Sequence, residues 1–331
     1  MGNEYLFELG GENEHLAKFE AKELLKNENY EPRIGFEETK IITFKLSRKL
    51  KADIVQRLGM TKRISRIVLQ TDEKNVSDAL EEINKIEIGK KSFAIRGIGS
   101  TAKSERKNAI LIGEKIPKEN KINLEKPDVK ILYYTGTKTI ISIAETKLQT
   151  AYKKCLEHHV KYRPYFSPIS IHPRIARSMI NLSKCSPDGI IIDPFCGTGG
   201  ILIEGADIGM DTIGIDISPR MVENTVGNLK HFGFVGEIKE GDIGILKEET
   251  FDAIVTDPPY GISSSSNKED IGILLNRTMQ IFSDSLKSGQ RVVIAVSDPE
   301  LIISNNFNVV HRFEWYIHKS LTRYILVLER N

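Results

Sequence analysis

The run Asp257-Pro258-Pro259-Tyr260 packs two hydrogen-bond acceptors and an aromatic ring into one short turn. Such a set suits transfer of a group to a ring-conjugated amine. That nitrogen is a poor nucleophile, because its lone pair is delocalised into the ring. The Asp257 carboxylate and the Pro258 carbonyl can take its two hydrogens and favour the pyramidal, more nucleophilic form. The prolines stiffen the loop and aim the carbonyl. Tyr260 offers a flat face for a base swung out of its helix, and Asp257 can accept the departing proton. The same residues would also make an ordinary Pro-Pro turn at a strand end, so the surroundings decide between the two.

A second set lies upstream. Asp193-Pro194-Phe195-Cys196-Gly197-Thr198-Gly199-Gly200 follows an apolar run and opens a helical one. Gly197 and Gly199 let the backbone turn sharply and approach a ligand, with Asp193 and Phe195 as neighbouring contacts. Asp216 ends the next strand, 23 residues after Asp193, where a carboxylate can accept both hydroxyls of a ribose. A nicotinamide dinucleotide competes for this pattern. It wants glycine where Leu202 stands, and its pyrophosphate would meet Asp193. S-adenosylmethionine fits better, having an ammonium and a sulfonium and no phosphate. Asp242, after the third strand, is placed for the adenine amino group, with Ile243 against the ring. Cys196 reads as small packing beside a helix start, because no base lies near it in sequence.

These residues fall at the strand ends of a regular alternation. Strands predicted over 189–193, 212–216, 235–239, 251–256 and 291–296 alternate with helices over 200–208, 219–232 and 271–286. Runs 307–316 and 322–329 predict an antiparallel hairpin on the edge of an otherwise parallel sheet. The first half predicts smaller α+β modules, with strands at 5–9, 41–44, 64–69 and 92–96 and helices over 12–26, 47–58 and 76–86. A polar helical stretch over 146–165 reads as the linker, and Ser263-Ser264-Ser265-Ser266 as a loop covering the site.

A length of 331 residues suits two or three domains. The net charge of +2 divides into +5 over residues 1–150 and −3 over 151–331. A basic half fits a polyanionic partner; lysines scattered for solubility are the plainer explanation. No apolar run is long enough to span a membrane, and no signal peptide opens the chain. Position 6 is Leu6, which excludes the myristoylation pattern that Met1-Gly2 invites. Cys155, Cys185 and Cys196 have neither metal-like nor disulfide-like spacing. The chain reads as cytoplasmic, with no metal and no membrane partner.

The segment Arg163-Pro164-Tyr165-Phe166-Ser167-Pro168-Ile169-Ser170-Ile171-His172-Pro173-Arg174 narrows the reading. Together with Asp193–Gly200 and Asp257–Gly261 it resembles the archaeal and eukaryotic tRNA guanosine-10 N2-methyltransferases. The resemblance implies an α/β fold: a class I, Rossmann-like methyltransferase domain with a seven-stranded, mostly parallel sheet. It also implies that Phe166 and Pro168 line the cofactor pocket. The N-terminal half resembles the RNA-binding THUMP region preceded by a ferredoxin-like domain. The matching stretches are Arg57–Arg63, Phe93–Arg96 and Ile122–Pro127. The implied division is 1–58 ferredoxin-like, 59–145 THUMP, 146–165 linker helix and 166–331 catalytic. The implied partner is tRNA, with Lys62, Arg63, Arg66, Arg96, Lys103 and Lys107 as phosphate contacts. Eukaryotic relatives work with a small activator protein, and the sequence does not decide whether this chain does. A DNA amino-methyltransferase would share Asp-Pro-Pro-Tyr but needs a target-recognition domain, for which no stretch remains. A non-catalytic RNA-binding protein would have no use for Asp193, Asp216, Asp242 and Asp257 together.

Overall fold

The computed structural model describes residues 3–145, 147–167, 170–259, 270–302, 305–318 and 321–331. Two compact units divide the chain: 1–56 with 61–151, and 57–60 with 152–331.

The first unit is built on β1 (Glu4–Leu9), α1 (Glu14–Asn27), β2 (Arg33–Glu38), β3 (Ile41–Lys45), α2 (Ala52–Val55), β4 (Thr61–Thr71), α3 (Val76–Ala79), β5 (Phe93–Gly97), α4 (Ala102–Glu114), β6 (Val129–Thr135) and β7 (Thr139–Glu145). Its strands form one sheet in the order β2-β3-β1-β4-β7-β6-β5. The opening β1-α1-β2-β3-α2-β4 succession is that of a βαββαβ unit. The division expected at 58/59 is not a break in this sheet. The first half of β4 pairs with β1 and the second with β7, so one strand joins both halves. Local signals start the helices: Asn13 accepts from Leu16 N (3.0 Å) ahead of α1, and Thr101 from Ser104 N (3.4 Å) ahead of α4.

The second unit contains α5 (Pro173–Leu182), β8 (Ile190–Asp193), α6 (Gly200–Ile208), β9 (Asp211–Asp216), α7 (Pro219–His231), β10 (Glu237–Glu240), β11 (Ala253–Thr256), α8 (Ile271–Ser285), β12 (Arg291–Val296), β13 (Phe307–His318) and β14 (Leu321–Arg330). The sheet order is β10-β9-β8-β11-β12-β14-β13. The five strands from β10 to β12 are parallel, and β14 and β13 add the antiparallel hairpin that the sequence predicts. From β8 the chain builds outward first through β9 and β10, then on the other side through β11 and β12. The reversal opens a crevice at the C-terminal ends of β8 and β11, where open α/β sheets bind ligands.

Two sequence expectations change here. The linker helix is replaced by two 3-10 segments, Lys154–His158 and Val160–Tyr162. The helix expected over 47–58 shrinks to α2, because Arg57–Met60 packs on α5 instead. Gly59 makes that approach feasible: a Cβ there would come within 2.9 Å of the Arg177 side chain. The Arg57 carbonyl accepts from Asn181 Nδ2 at 2.9 Å.

Candidate active site

A cavity of about 270 Å³ fills the crevice. Its wall takes residues from every strand end around the reversal: Asp193, Asp216, Asp242 and Asp257 follow or close β8, β9, β10 and β11 in turn. The turn between β8 and α6 brings backbone against the cavity. Gly197 (φ +52°) and Gly199 (φ +79°) adopt the left-handed conformation that side chains resist. At Gly199 a Cβ would also meet Thr225 at 2.9 Å.

Hydrogen bonds fix three of the four carboxylates. Asp193 is buried and accepts from Thr256 Oγ1 (2.6 Å) and Phe195 N (3.2 Å). Burial pushes its carboxyl up to about 7, against those two bonds and with added repulsion from Asp257 and Asp216. Asp216 accepts from Gly197 N and Ser218 N, each at 2.9 Å, one on each oxygen. Burial raises its carboxyl too, the two bonds opposing. Asp242 differs. Arg277 of α8 grips both its oxygens, at 2.7 and 3.0 Å, and holds its carboxyl below the usual range. Its Oδ1 also caps the following 3-10 turn through Gly244 N. The expected adenine contact is therefore already committed to an arginine, while Ile243 beside it lies buried in the cavity wall.

Asp257 is held from one side only. Arg323 Nη2 stands 3.4 Å from its Oδ2, and Oδ1 is buried with no hydrogen-bond partner among the described residues. Burial lifts this carboxyl to about 7 despite the arginine. A buried acceptor left unsatisfied in a cavity wall is costly to a fold that gains nothing from it, and it is what a ligand bearing an N–H would satisfy.

Pro258 and Pro259 line the cavity beside Asp257, as do Phe195 and Gly197. Tyr260 and Pro168 lie outside the described residues, together with the Ser263–Ser266 loop. Phe166 stands 69% exposed and is not part of the cavity wall; its neighbour Ser167, with Ser170, takes that place. Cys196 is buried, and burial drives its thiol well above the ordinary range, which leaves packing as its role. Ile217, Met221, Leu274, Arg277, Thr256 and Arg323 were not evident in the sequence, since none sits in a motif.

The expected phosphate contacts fall into four groups. Lys62 and Arg63 both pair with Glu8, whose side chain is 6% exposed, so their charge neutralises a buried carboxylate. Arg96 donates to the carbonyls of Ile95 and Leu124. Arg66 is partly buried on β4 and has a partner of its own. Lys103 and Lys107 are exposed, one turn apart on α4. Elsewhere, His158, Glu204 and Asp207 bring ligand-type atoms within 4.8 Å of one another. Arg177 already binds both carboxylates there, so a cation occupies the middle of that cluster.

Comparison with known proteins places this geometry. A family model described as an RMKL-like methyltransferase domain matches residues 160–322. A DNA methylase model matches 34–227 and stops before Asp257. TrmN from Thermus thermophilus shares the fold with a TM-score of 0.57 at 17% identity, covering 99% of this chain and 100% of that one. The tRNA (guanine(10)-N2)-dimethyltransferase of Methanothermobacter thermautotrophicus is 35% identical over 291 residues, 83% of this chain and 84% of that protein. The protein of the same name from Methanocaldococcus jannaschii is 30% identical, covering 97% of this chain and 98% of its own length. A Rossmann-like sheet with its carboxylates at the switch point, in a chain alike to those enzymes over most of both lengths, belongs to the tRNA (guanine(10)-N2)-dimethyltransferase family.

Proposed function

We propose that this chain transfers methyl groups from S-adenosylmethionine to the exocyclic N2 of the guanosine at position 10 of tRNA. The observation that carries the reading is the Asp257 carboxylate beside Pro258 in the cavity, with Oδ1 buried and unpartnered among the described residues. The cavity fits the cofactor: it sets the Asp193 and Asp216 carboxylates against a ligand with two cationic centres, and glycine backbone stands where a close approach is needed. S-adenosylmethionine supplies an electrophilic methyl on its sulfonium. Asp193 answers the ammonium charge, Asp216 accepts the ribose hydroxyls, and Ile243 packs against the base. Asp257 Oδ1 and the Pro258 carbonyl hold the two amine hydrogens. As the nitrogen lone pair forms the new N–C bond, the C–S electrons stay on sulfur, and the extra proton passes to Asp257 or to water. No general acid is needed on the leaving side, because the departing group is a neutral thioether.

The test uses unmodified tRNA and duplex DNA as parallel acceptors for labelled methyl, with product nucleosides mapped by mass spectrometry. N2-methylated guanosine at position 10 supports the reading. Label in another amino group overturns the position, and label in DNA alone overturns the substrate class.

Cofactor binding should depend on pH. With the Asp193 carboxyl at about 7 in the free protein, binding a cation must first release that proton below pH 7. Affinity measured by calorimetry is expected to be flat above about pH 8 and to weaken by up to roughly tenfold per unit below 7. A pH-independent affinity from 5.5 to 8.5 would exclude Asp193 as the ammonium partner.

For the first unit, the reading is an N-terminal ferredoxin-like part leading into a THUMP part that binds tRNA. The exposed pair Lys103 and Lys107 is now the better probe of that surface, since Lys62 and Arg63 are committed to Glu8. Lys103→Ala with Lys107→Ala should weaken tRNA binding and lower the slope of log affinity against log salt by roughly 1 per lysine. An unchanged slope places both side chains away from the RNA.

A further inference from the structure

Arg323 lies near the start of β14, and its neighbour Tyr324 pairs with Val296, the last residue of β12. That register carries Arg323 just past the C-terminal end of β12, onto the edge of the crevice. Its Nη2 stands 3.4 Å from Asp257 Oδ2. Trp315, its cross-strand partner on β13, lies against the guanidinium with 5.6 Å from Cζ to the ring. Arg323 is 3% exposed. A buried arginine with a tryptophan ring over its guanidinium has little freedom to turn away, so the oxygen that it holds is restrained.

We infer that Arg323 is a positioning residue for the transfer: it holds Asp257 by Oδ2, the Trp315 ring packs over its guanidinium, and Oδ1 is thereby left as the acceptor for the amine. The inference rests on the reading of Asp257 as that acceptor. A cation on Oδ2 directs any proton that Asp257 takes to Oδ1, and a protonated Oδ1 donates where it must accept. Transfer should then follow the ionised fraction of Asp257. The charged groups around it are Arg323 from β14, which favours ionisation, and Asp193 from the end of β8, which opposes it. Among the described residues, Asp216 and the paired Asp242 and Arg277 are the other charges of the cavity wall.

The experiment measures single-turnover methyl transfer to unmodified tRNA from pH 6 to 9.5, for the full chain and three variants. Arg323→Gln is expected to cut the rate about 50-fold at pH 7 and less than 10-fold at pH 9, because the acidic limb moves up by about two units. Arg323→Lys keeps the charge and loses the planar fork, so a drop of roughly tenfold with an unshifted limb is expected. If the Gln variant does not fold, the Lys variant carries the test, and a shifted limb in it overturns the proposal. A rate reduced by one factor at every pH in Arg323→Gln, or an unchanged rate, overturns it as well. Asp257→Asn separates the two readings. If it keeps the wild-type rate, the role of Asp257 fails; if it is inactive while Arg323→Gln is normal, only the role of Arg323 fails. A second readout needs no turnover. Trp315 is the chain's one tryptophan, so its emission should titrate near pH 7 in the wild type and lose that step in Asp257→Asn. Emission that stays flat in the wild type contradicts the coupling.

Discussion

Asp257→Ala is expected to slow single-turnover methyl transfer by about 10³-fold or more while leaving affinity for S-adenosylmethionine within about threefold. The size follows from what the carboxylate is for. In the role proposed for it, the carboxylate is the acceptor that makes a delocalised amine nucleophilic, and removing a preorganised polar group from such a site costs orders of magnitude in rate rather than in ground-state binding. The cofactor keeps Asp193 and Asp216, whose hydrogen bonds do not involve Asp257. Loss of cofactor binding alongside activity would move Asp257 into the binding set. The stability of the protein should shift the other way. A carboxyl raised to about 7 in the fold, against an ordinary 3.8, binds its proton more tightly when folded. Its contribution is fully present below the unfolded value and is lost as pH rises through 7. Asp257→Asn removes that loss, so the variant should melt higher than wild type at pH 8, as expected where a site is strained for function. Thermal melts at pH 5 and 8 measure the difference.

Asp216→Ala is the second large effect. This carboxylate does two things at once: its oxygens hold Gly197 N and Ser218 N, shaping the turn, and they face the cavity where hydroxyls of a ribose would sit. Hydrogen bonds to a charged group are each worth about 1.5–3 kcal/mol, so losing the acceptor should weaken S-adenosylhomocysteine binding about 100-fold or more by calorimetry. Asp216→Asn can keep one of the two backbone bonds and should fall between. Equal binding by both variants and the wild type would contradict the assignment.

The catalytic half was legible in the sequence because its strands are buried on both faces and its motifs sit where strands end. Ile190–Asp193 and Ala253–Thr256 are short apolar runs that can only be interior strands, and each delivers an aspartate to the crevice within a residue or two. The first half was less so. The sheet partners β2, β6 and β7 went unassigned; β2 is largely exposed, and an edge strand of that kind carries no clean alternation. The helix α5 escaped for the opposite reason. All ten of its residues are buried, so Arg174, Arg177 and Asn181 interrupt the apolar stripe that marks a surface helix. Their polar ends are satisfied inside: Arg177 by Glu204 and Asp207, Asn181 by the Arg57 carbonyl. In the site, the four aspartates belong to contiguous motifs. Arg323 and Arg277 reach the crevice only through strand pairing and helix packing, which spacing along the chain does not encode. The same holds for Lys62 and Arg63, whose partner Glu8 is brought to them by the pairing of β1 with β4.

The most direct test of the central claim is a crystal structure of the full chain with sinefungin, which carries an amine in place of the methylated sulfonium. The account expects that amine within about 3 Å of Asp257 Oδ1 and the ribose hydroxyls on Asp216. Sinefungin bound in the crevice with its amine turned away from Asp257, or bound elsewhere on the protein, would contradict it.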